Sequence, residues 1–388
     1  MVKRIINIPA KFSFYLFGPR QTGKSTLIKE LLKKTKKWEV NLLYSDVYLK
    51  YLKNPSLFRK EAEYKIEKQG IKVIFIDEIQ KIPILLDEIH GLLLSHPGIR
   101  FIVTGSSARK LKRGAANLLA GRLIQRFLHP FTHIELGNDF SLEDALLLGT
   151  LPPLYNLDVS SKKEILNSYV STYLREEINA EGIVRNLGGF SSFLDVAASH
   201  SGELINYSSI ARDAGLPSRT VQSYYQILED TLVTVRLEAW RKSIRKRLST
   251  HPKFYIFDTG VTNAICGRLD IKPDPLTRGR LFEQWIILET FRLLSYRQSP
   301  AKLFYWRTSA GAEVDLVIVK AGKPVAGIEI KARRTITSPH TSGLRSFGDE
   351  YPDLPLFIVC DANEPFCIGK IEVLPWKNYF KILDKLFL

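Results

Sequence analysis

The sequence predicts an α/β protein whose N-terminal third is built on a parallel sheet, and three observations lead there. Phe12 to Phe17 is an apolar strand candidate running straight into Gly18-Pro19-Arg20-Gln21-Thr22-Gly23-Lys24-Ser25-Thr26, a complete G-x-x-x-x-G-K-[ST] loop. A helix pattern follows, with Leu27, Ile28, Leu31 and Leu32 at helical spacing. Further on, Val73-Ile74-Phe75-Ile76-Asp77-Glu78 is four apolar residues closed by two carboxylates. That pattern sets acids at the carboxyl end of a buried strand, where open α/β sheets bind their ligands.

The residue types in the loop suit a polyphosphate. Gly18 and Gly23 let the backbone approach a ligand closely, so several amides of the loop that runs through Pro19, Arg20, Gln21, Thr22 and on to Thr26 can point at one anion, Pro19 itself having no N–H to offer. Lys24 adds a point charge for the β and γ phosphates, and Ser25, in the first helical turn, offers its hydroxyl to Mg²⁺. Asp77 is expected to hold Mg²⁺ through water, and Glu78 to polarise an attacking water; the competing reading is an acidic N-cap for the helix after Pro83. ATP and Mg²⁺ are the expected cofactors.

A chain of 388 residues predicts two to four domains. With 45% hydrophobic and 25% charged residues it has the composition of an ordinary globular protein. Cys266, Cys360 and Cys367 form no C-x-x-C pair, which argues against a zinc knuckle or a disulfide framework and fits a cytoplasmic location. No apolar run reaches membrane-spanning length, and Pro9 and Lys11 interrupt the first apolar stretch, against a signal peptide. The net charge of +16 favours a polyanionic partner, nucleic acid before membrane.

In chain order, Val40 to Val47 reads as a second strand ending in Asp46, Ile71 to Asp77 as a third, and Arg100 to Thr104 as a fourth. The fourth runs into Gly105-Ser106-Ser107-Ala108-Arg109, where Thr104 and Ser106 compete as the hydroxyl that senses the γ-phosphate or its water. A basic helical stretch, Lys110 to Ala120, then Gly121-Arg122, precedes a fifth strand, Leu123 to Phe131. Phosphate loop, Asp-Glu pair, polar strand end and Gly-Arg in this order resemble the AAA+ ATPase module. The wording Asp-Glu-Ile-Gln-Lys, Thr-Gly-Ser-Ser-Ala-Arg-Lys and Leu-Ala-Gly-Arg resembles a branch of archaeal and bacterial ATPases that end in a nuclease-like domain. The resemblance implies that Arg122 is an arginine finger serving a neighbouring subunit, and hence a homo-oligomer; the alternative is a solvated arginine at a helix end.

The ATPase core is expected to span 1–140. Ser141 caps a short helix through Leu148 and Gly149-Thr150-Leu151-Pro152-Pro153 breaks it. A helical lid over 141–188 follows, with Ile165, Tyr169, Tyr173 and Leu174 as its apolar stripe between Lys162 and Glu177, and Arg175 as either a sensor or a surface charge. Residues 189–259 have winged helix-turn-helix spacing: helices over Ser191–Ser199, Ser208–Ala214 and Ser218–Glu229, a turn at Gly215, then strands Leu232–Trp240 and Lys253–Phe257. Arg219, Thr220, Gln222 and Ser223 are suited to phosphates and base edges, and Arg241, Lys242, Arg245, Lys246 and Arg247 would form a basic wing tip. DNA is the expected partner.

From 260 to 388 the pattern is a helix, Leu281 to Leu294, and a meander, Leu303–Arg307, Glu313–Val319 and Pro324–Lys331. Glu329 and Lys331, two apart on a strand, project from one face. Glu283, Asp315 and Glu329-x-Lys331 together resemble the PD-(D/E)XK nuclease site of an α+β, restriction-endonuclease-like domain. The resemblance implies that Asp315, Glu329 and Glu283 hold a metal while Lys331 orients water. The expected activity is Mg²⁺-dependent ATP hydrolysis coupled to DNA binding and to cleavage at this site; the alternative is an ATP-switched DNA-binding regulator that cleaves nothing.

Overall fold

A computed structural model describes residues 2–107, 122–174, 187–241 and 251–386. The chain divides into two compact units, Met1–Phe131 with Asp230–Val233, and Thr132–Glu229 with Thr234–Leu388.

In the first unit, β1 (Phe14–Phe17), β2 (Lys37–Asn41), β3 (Val73–Asp77), β4 (Arg100–Gly105) and β5 (Ile124–Phe127) form one sheet in the order β2-β3-β4-β1-β5. Every pairing is parallel. All residues of β1 and β3 are buried, as strands covered on both faces must be, so the apolar runs that mark them in the sequence are the core itself. Helices α1 (Lys24–Leu31), α2 (Ser45–Lys53), α3 (Pro55–Gln69) and α4 (Leu85–Ser95) follow in sequence. Phe58, Leu85, Leu86 and Ile89 from these helices join Tyr15, Phe17, Ile74, Ile76 and Val103 from the strands in one cluster. The order carries a consequence for chemistry. β4 lies between β1 and β3, with Phe17 in register with Gly105, so the loop after β1 and the acids ending β3 open on the same edge of the sheet.

The second strand differs from the expected Val40–Val47. It ends at Asn41, whose side chain accepts a hydrogen bond from the Leu43 amide at 2.9 Å and turns the chain. Asp46 therefore lies in the first turn of α2, where the helix N-terminus favours a negative charge, and Val47 and Tyr48 reach the core from a helix.

The second unit holds an eight-stranded mixed sheet. Its strands are β6 (Thr234–Ala239), β7 (Lys253–Ile256), β8 (Lys302–Arg307), β9 (Glu313–Lys320), β10 (Lys323–Lys331), β11 (Leu356–Cys360), β12 (Phe366–Ile368) and β13 (Ile371–Pro375). They run in the order β12-β13-β11-β10-β9-β8-β6-β7. β6 pairs antiparallel with β7 and parallel with β8, so the two strands expected as a wing extend the C-terminal meander in one continuous sheet. Three helices, Leu187–Ser199, Tyr207–Asp213 and Ser218–Asp230, precede β6, with Gly215 at φ 64° between the last two. An aromatic knot binds them: Phe193 meets Tyr224 and Tyr225, and Tyr225 stacks on Phe254 of β7 at 4.6 Å. The expected lid helix is α-helical over Val159–Ser168 and continues as a π-helix over Tyr169–Leu174; Arg175 lies outside the described residues.

The long helix Pro275–Tyr296 starts on Asp274, which accepts hydrogen bonds from the Leu276 and Thr277 amides while Pro275 supplies a helix-ready φ. Asp258 caps Thr259–Ile265 in the same way and also accepts from the Thr150 amide at 3.0 Å. Gly149 fits against it with φ 72°, and a Cβ there would fall 1.8 Å from Asp258 Oδ1. Among the described residues, no helix is long and apolar enough to cross a membrane.

Candidate functional site

The loop between β1 and α1 is shaped by two left-handed residues, Gln21 at φ 63° and Gly23 at φ 86°. Gly18 has no room for a side chain, since a Cβ would lie 2.2 Å from the Leu128 carbonyl oxygen. Lys24 is buried and folds back into the loop, donating to the carbonyl oxygens of Gly18 and Pro19 at 2.9 Å each. Thr22 Oγ1 donates to Pro19 O at 2.9 Å, and Arg4 reaches in from the N-terminal segment to hold Thr22 O at 3.1 Å. Thr26 is exposed on α1.

Ser25 Oγ donates to Asp77 Oδ1 at 2.9 Å, which joins the first turn of α1 to the end of β3. Thr104 also donates to Asp77, and its Oγ1 accepts from the Glu78 amide at 3.2 Å. Of the two competing hydroxyls, Thr104 thus serves the aspartate, and Ser106, whose Oγ is 3.5 Å from Glu78 Oε2, serves the glutamate. A serine hydroxyl beside a carboxylate is a hard oxygen donor pair, and it fits Mg²⁺, which takes few protein ligands and keeps water and phosphate oxygens for the rest. Arg122 is exposed in the turn ahead of β5; Lys110 to Gly121 lie outside the described residues.

In the second unit, Arg219 and Gln222 are exposed on the helix Ser218–Asp230, with Thr220 half-buried and Val221, Tyr224 and Tyr225 turned inward. Ser223 is exposed as well, its hydroxyl donating to Arg219 O at 3.0 Å. Arg241 is half-buried, whereas Lys242, Arg245, Lys246 and Arg247 lie outside the described residues.

The C-terminal acids occupy two neighbouring groups. Asp315 Oδ2 accepts from the Ile330 amide at 2.8 Å, and Lys331 Nζ lies 2.6 Å from Glu329 Oε1 and 3.8 Å from Asp315 Oδ2. Glu283, close enough to feel the charges of Asp315 and Lys331, has hydrogen-bond partners of its own: Tyr255 donates to its Oε1 at 2.8 Å and Lys253 Nζ approaches the same oxygen at 3.4 Å. Lys253 also lies 2.6 Å from Glu313 Oε1. Burial, followed by the charge of Asp315, pushes the Glu329 carboxyl up to about 8. Burial and then Asp315 also raise Glu283, against the pull of Lys253. Among the described residues, no three His, Cys, Asp or Glu side chains converge as a metal shell. Asp315, Glu329 and Lys331 therefore come together as expected from the sequence, while the third expected ligand, Glu283, is turned to a tyrosine and a second lysine.

Sequence reasoning missed Gln80, Arg4, Lys253, Tyr255 and Glu313 as parts of these sites. Lys253 and Tyr255, two apart on β7, share a face in the same way as Glu329 and Lys331, and that alternation was the available signal.

Comparison with known proteins divides the chain in three. Residues 11–137 match an AAA domain, 139–273 a domain of unknown function (DUF8612), and 278–379 another domain of unknown function (DUF4143). The uncharacterized protein Rv2008c of Mycobacterium tuberculosis is 30% identical over 342 residues, covering 85% of this chain and 72% of the relative. An uncharacterized protein of Haemophilus influenzae is 23% identical over 274 residues, covering 65% of this chain and 68% of that one. Among solved structures, domain III of the Thermotoga maritima replication initiation protein DnaA is similar with a TM-score of 0.27 and 13% identity, covering 46% of this chain and 81% of that one.

Proposed function

This chain belongs to the family of the mycobacterial protein Rv2008c, with an AAA domain of the P-loop type at residues 11–137, and from that premise we propose that it is a Mg²⁺-dependent ATPase whose cycle governs its hold on DNA. The observation that carries the reading is the 2.9 Å contact from Ser25 Oγ to Asp77 Oδ1, with Glu78 next in the chain and Lys24 buried in the loop. Ser25 and Asp77 would hold the cation, which when bound neutralises phosphate charge. Lys24 leaves the carbonyls of Gly18 and Pro19 to meet the β and γ phosphates, and Glu78 takes a proton from water. Calorimetry and phosphate release test this directly. Lys24→Ala is expected to lose ATP binding, since each charged hydrogen bond contributes roughly 1.5–3 kcal/mol. Glu78→Gln is expected to bind ATP and not hydrolyse it; wild-type affinity in Lys24→Ala would refute the assignment.

For DNA, the reading rests on the +16 charge and on the exposed Arg219 and Gln222, with the half-buried Thr220 beside them, on one helix in a winged-helix order of elements. Arg219→Ala should weaken binding and flatten the salt dependence by about one phosphate contact.

Asp315, Glu329 and Lys331 are proposed as the place where DNA would be cut. One observation favours the second reading, an ATP-switched regulator without cleavage: each of these carboxylates and Glu283 already has a lysine or tyrosine partner. Incubation with ATP, Mg²⁺ or Mn²⁺ and single-stranded, duplex and branched DNA separates the two, because only the first predicts nicking that Asp315→Asn abolishes.

A further inference from the structure

Directly after β3 the chain makes a three-residue helical turn, Ile79–Lys81, and its middle residue, Gln80, is 6% exposed. Burying a primary amide costs free energy unless its hydrogen bonds are made, so each bond it makes or lacks has meaning. Gln80 Nε2 donates to the Glu78 carboxylate at Oε2 and to Ser106 Oγ at 2.9 Å. These two bonds use both N–H groups. The carbonyl oxygen, Oε1, is buried with no hydrogen-bond partner. Space for it is kept by Gly105 at the end of β4, where an added Cβ would come within 2.9 Å of that oxygen.

The backbone beside it is also set up at a cost. Glu78 has φ 61° and ψ 48°, a left-handed conformation that a residue with a Cβ rarely adopts. The Glu78 amide is tied to Thr104 Oγ1, and Thr104 in turn donates to Asp77. The end of β4 therefore fixes the acid pair through Thr104 and fixes the Glu78 side chain through Ser106 and Gln80.

We propose that Gln80 is a positioning residue for ATP hydrolysis, orienting Glu78 through its amide nitrogen and accepting a hydrogen bond from the second O–H of the attacking water at its carbonyl oxygen. The inference deepens the ATPase reading and rests on it. A water nucleophile has two protons and needs two acceptors to aim its lone pair at phosphorus. Glu78 supplies one acceptor and Gln80 Oε1 the other. In the step itself a bond forms between the water oxygen and the γ-phosphorus, and the bond from that phosphorus to the bridging oxygen breaks, its electron pair leaving with ADP. One water proton passes to the Glu78 carboxylate; the hydrogen bond to Gln80 holds the other in place.

The test compares wild type with Gln80→Met, which keeps the volume and removes donors and acceptor, and Gln80→Asn, which keeps the amide one methylene short. Steady-state turnover, ATP affinity by calorimetry and the unfolding midpoint are read for each. The expected result is a kcat lowered by roughly 10²-fold in Gln80→Met, in the range for the loss of one preorganised hydrogen bond at the reacting centre, with affinity and midpoint close to wild type. Gln80→Asn should stay folded and also lose turnover, since neither end of its amide reaches far enough. Turnover at the wild-type rate in either folded variant overturns the proposal while leaving the ATPase reading intact. Parallel losses of affinity, midpoint and turnover show a structural glutamine and overturn it too. Wild-type protein that binds ATP with Mg²⁺ and never releases phosphate removes the ATPase reading, and Gln80's role goes with it.

Discussion

Lys253 Nζ lies 2.6 Å from Glu313 Oε1, joining β7, the end strand of the eight-stranded sheet, to β9 three places along it. The lysine is 4% exposed and its ammonium is shared with Glu283 at 3.4 Å. Burial alone would lower its pKa, but Tyr255, Glu283, Asp315 and Glu313 around it prevail and raise it well above the usual lysine value.

A buried ammonium with two carboxylate partners predicts a large one-sided mutational cost. Lys253→Met removes the cation shared by Glu283 and Glu313 and leaves Glu313 with its other partner, Arg307 at 3.1 Å, and breaking a buried ion pair costs up to about 3–5 kcal/mol. Urea unfolding should show that loss. Adding Glu313→Gln to Lys253→Met should recover part of it, because the two changes act on one interaction and are not additive. A loss under about 1 kcal/mol in Lys253→Met would mean that the cluster is hydrated and loosely held.

The pH dependence of stability should carry the mark of Glu329. Its side chain is 12% exposed, its Oε2 has no hydrogen-bond partner, and burial with the nearby Asp315 charge pushes its carboxyl up to about 8. A carboxyl whose folded pKa exceeds its unfolded value, about 4.3, binds more proton when folded. Its contribution is therefore complete below that unfolded value and is lost as pH rises through about 8. Glu329→Gln, which stays neutral, should lose less stability than wild type between about pH 5 and pH 9. Parallel melting-temperature curves for the two proteins would show that Glu329 ionises freely in the fold.

Which parts of this architecture were legible in the sequence follows from how local each signal is. The phosphate loop and the Asp77-Glu78 pair are contiguous strings whose geometry follows from one strand and one turn, and the structure brings Ser25 and Asp77 together because β1 and β3 flank β4. Glu329 and Lys331 were readable from strand alternation alone. The role of Gln80 depends on Ser106 and Gly105 at the end of a strand some 26 positions on, and no periodicity encodes that. Lys253 depends on β6 pairing with β8, a junction between two segments that composition gave no reason to join. The mistaken strand at Val40–Val47 had a local cause: β-branched and aromatic residues read as a strand, while Asn41 turns the chain and Asp46 starts a helix.

Arg122 supplies the last prediction. It is exposed in the turn before β5, and β5 pairs with β1, the strand that feeds the phosphate loop. An exposed guanidinium costs little to keep in water, so exposure alone gives it no role, and a second copy of the chain is what would give it one. If it stabilises the γ-phosphate of a neighbouring copy as charge develops there, Arg122→Ala should lower turnover by roughly 10³-fold and leave ATP affinity nearly unchanged. Glu78→Gln fails for a different reason, on its own subunit. Mixing the two inactive proteins then pairs an intact Glu78 on one copy with an intact Arg122 on the next, and activity should return in proportion to such interfaces. Recovery that vanishes on dilution below the assembly concentration identifies a trans contribution. Full activity of Arg122→Ala in a monomer, measured by sedimentation alongside phosphate release, would leave Arg122 as a solvated surface charge.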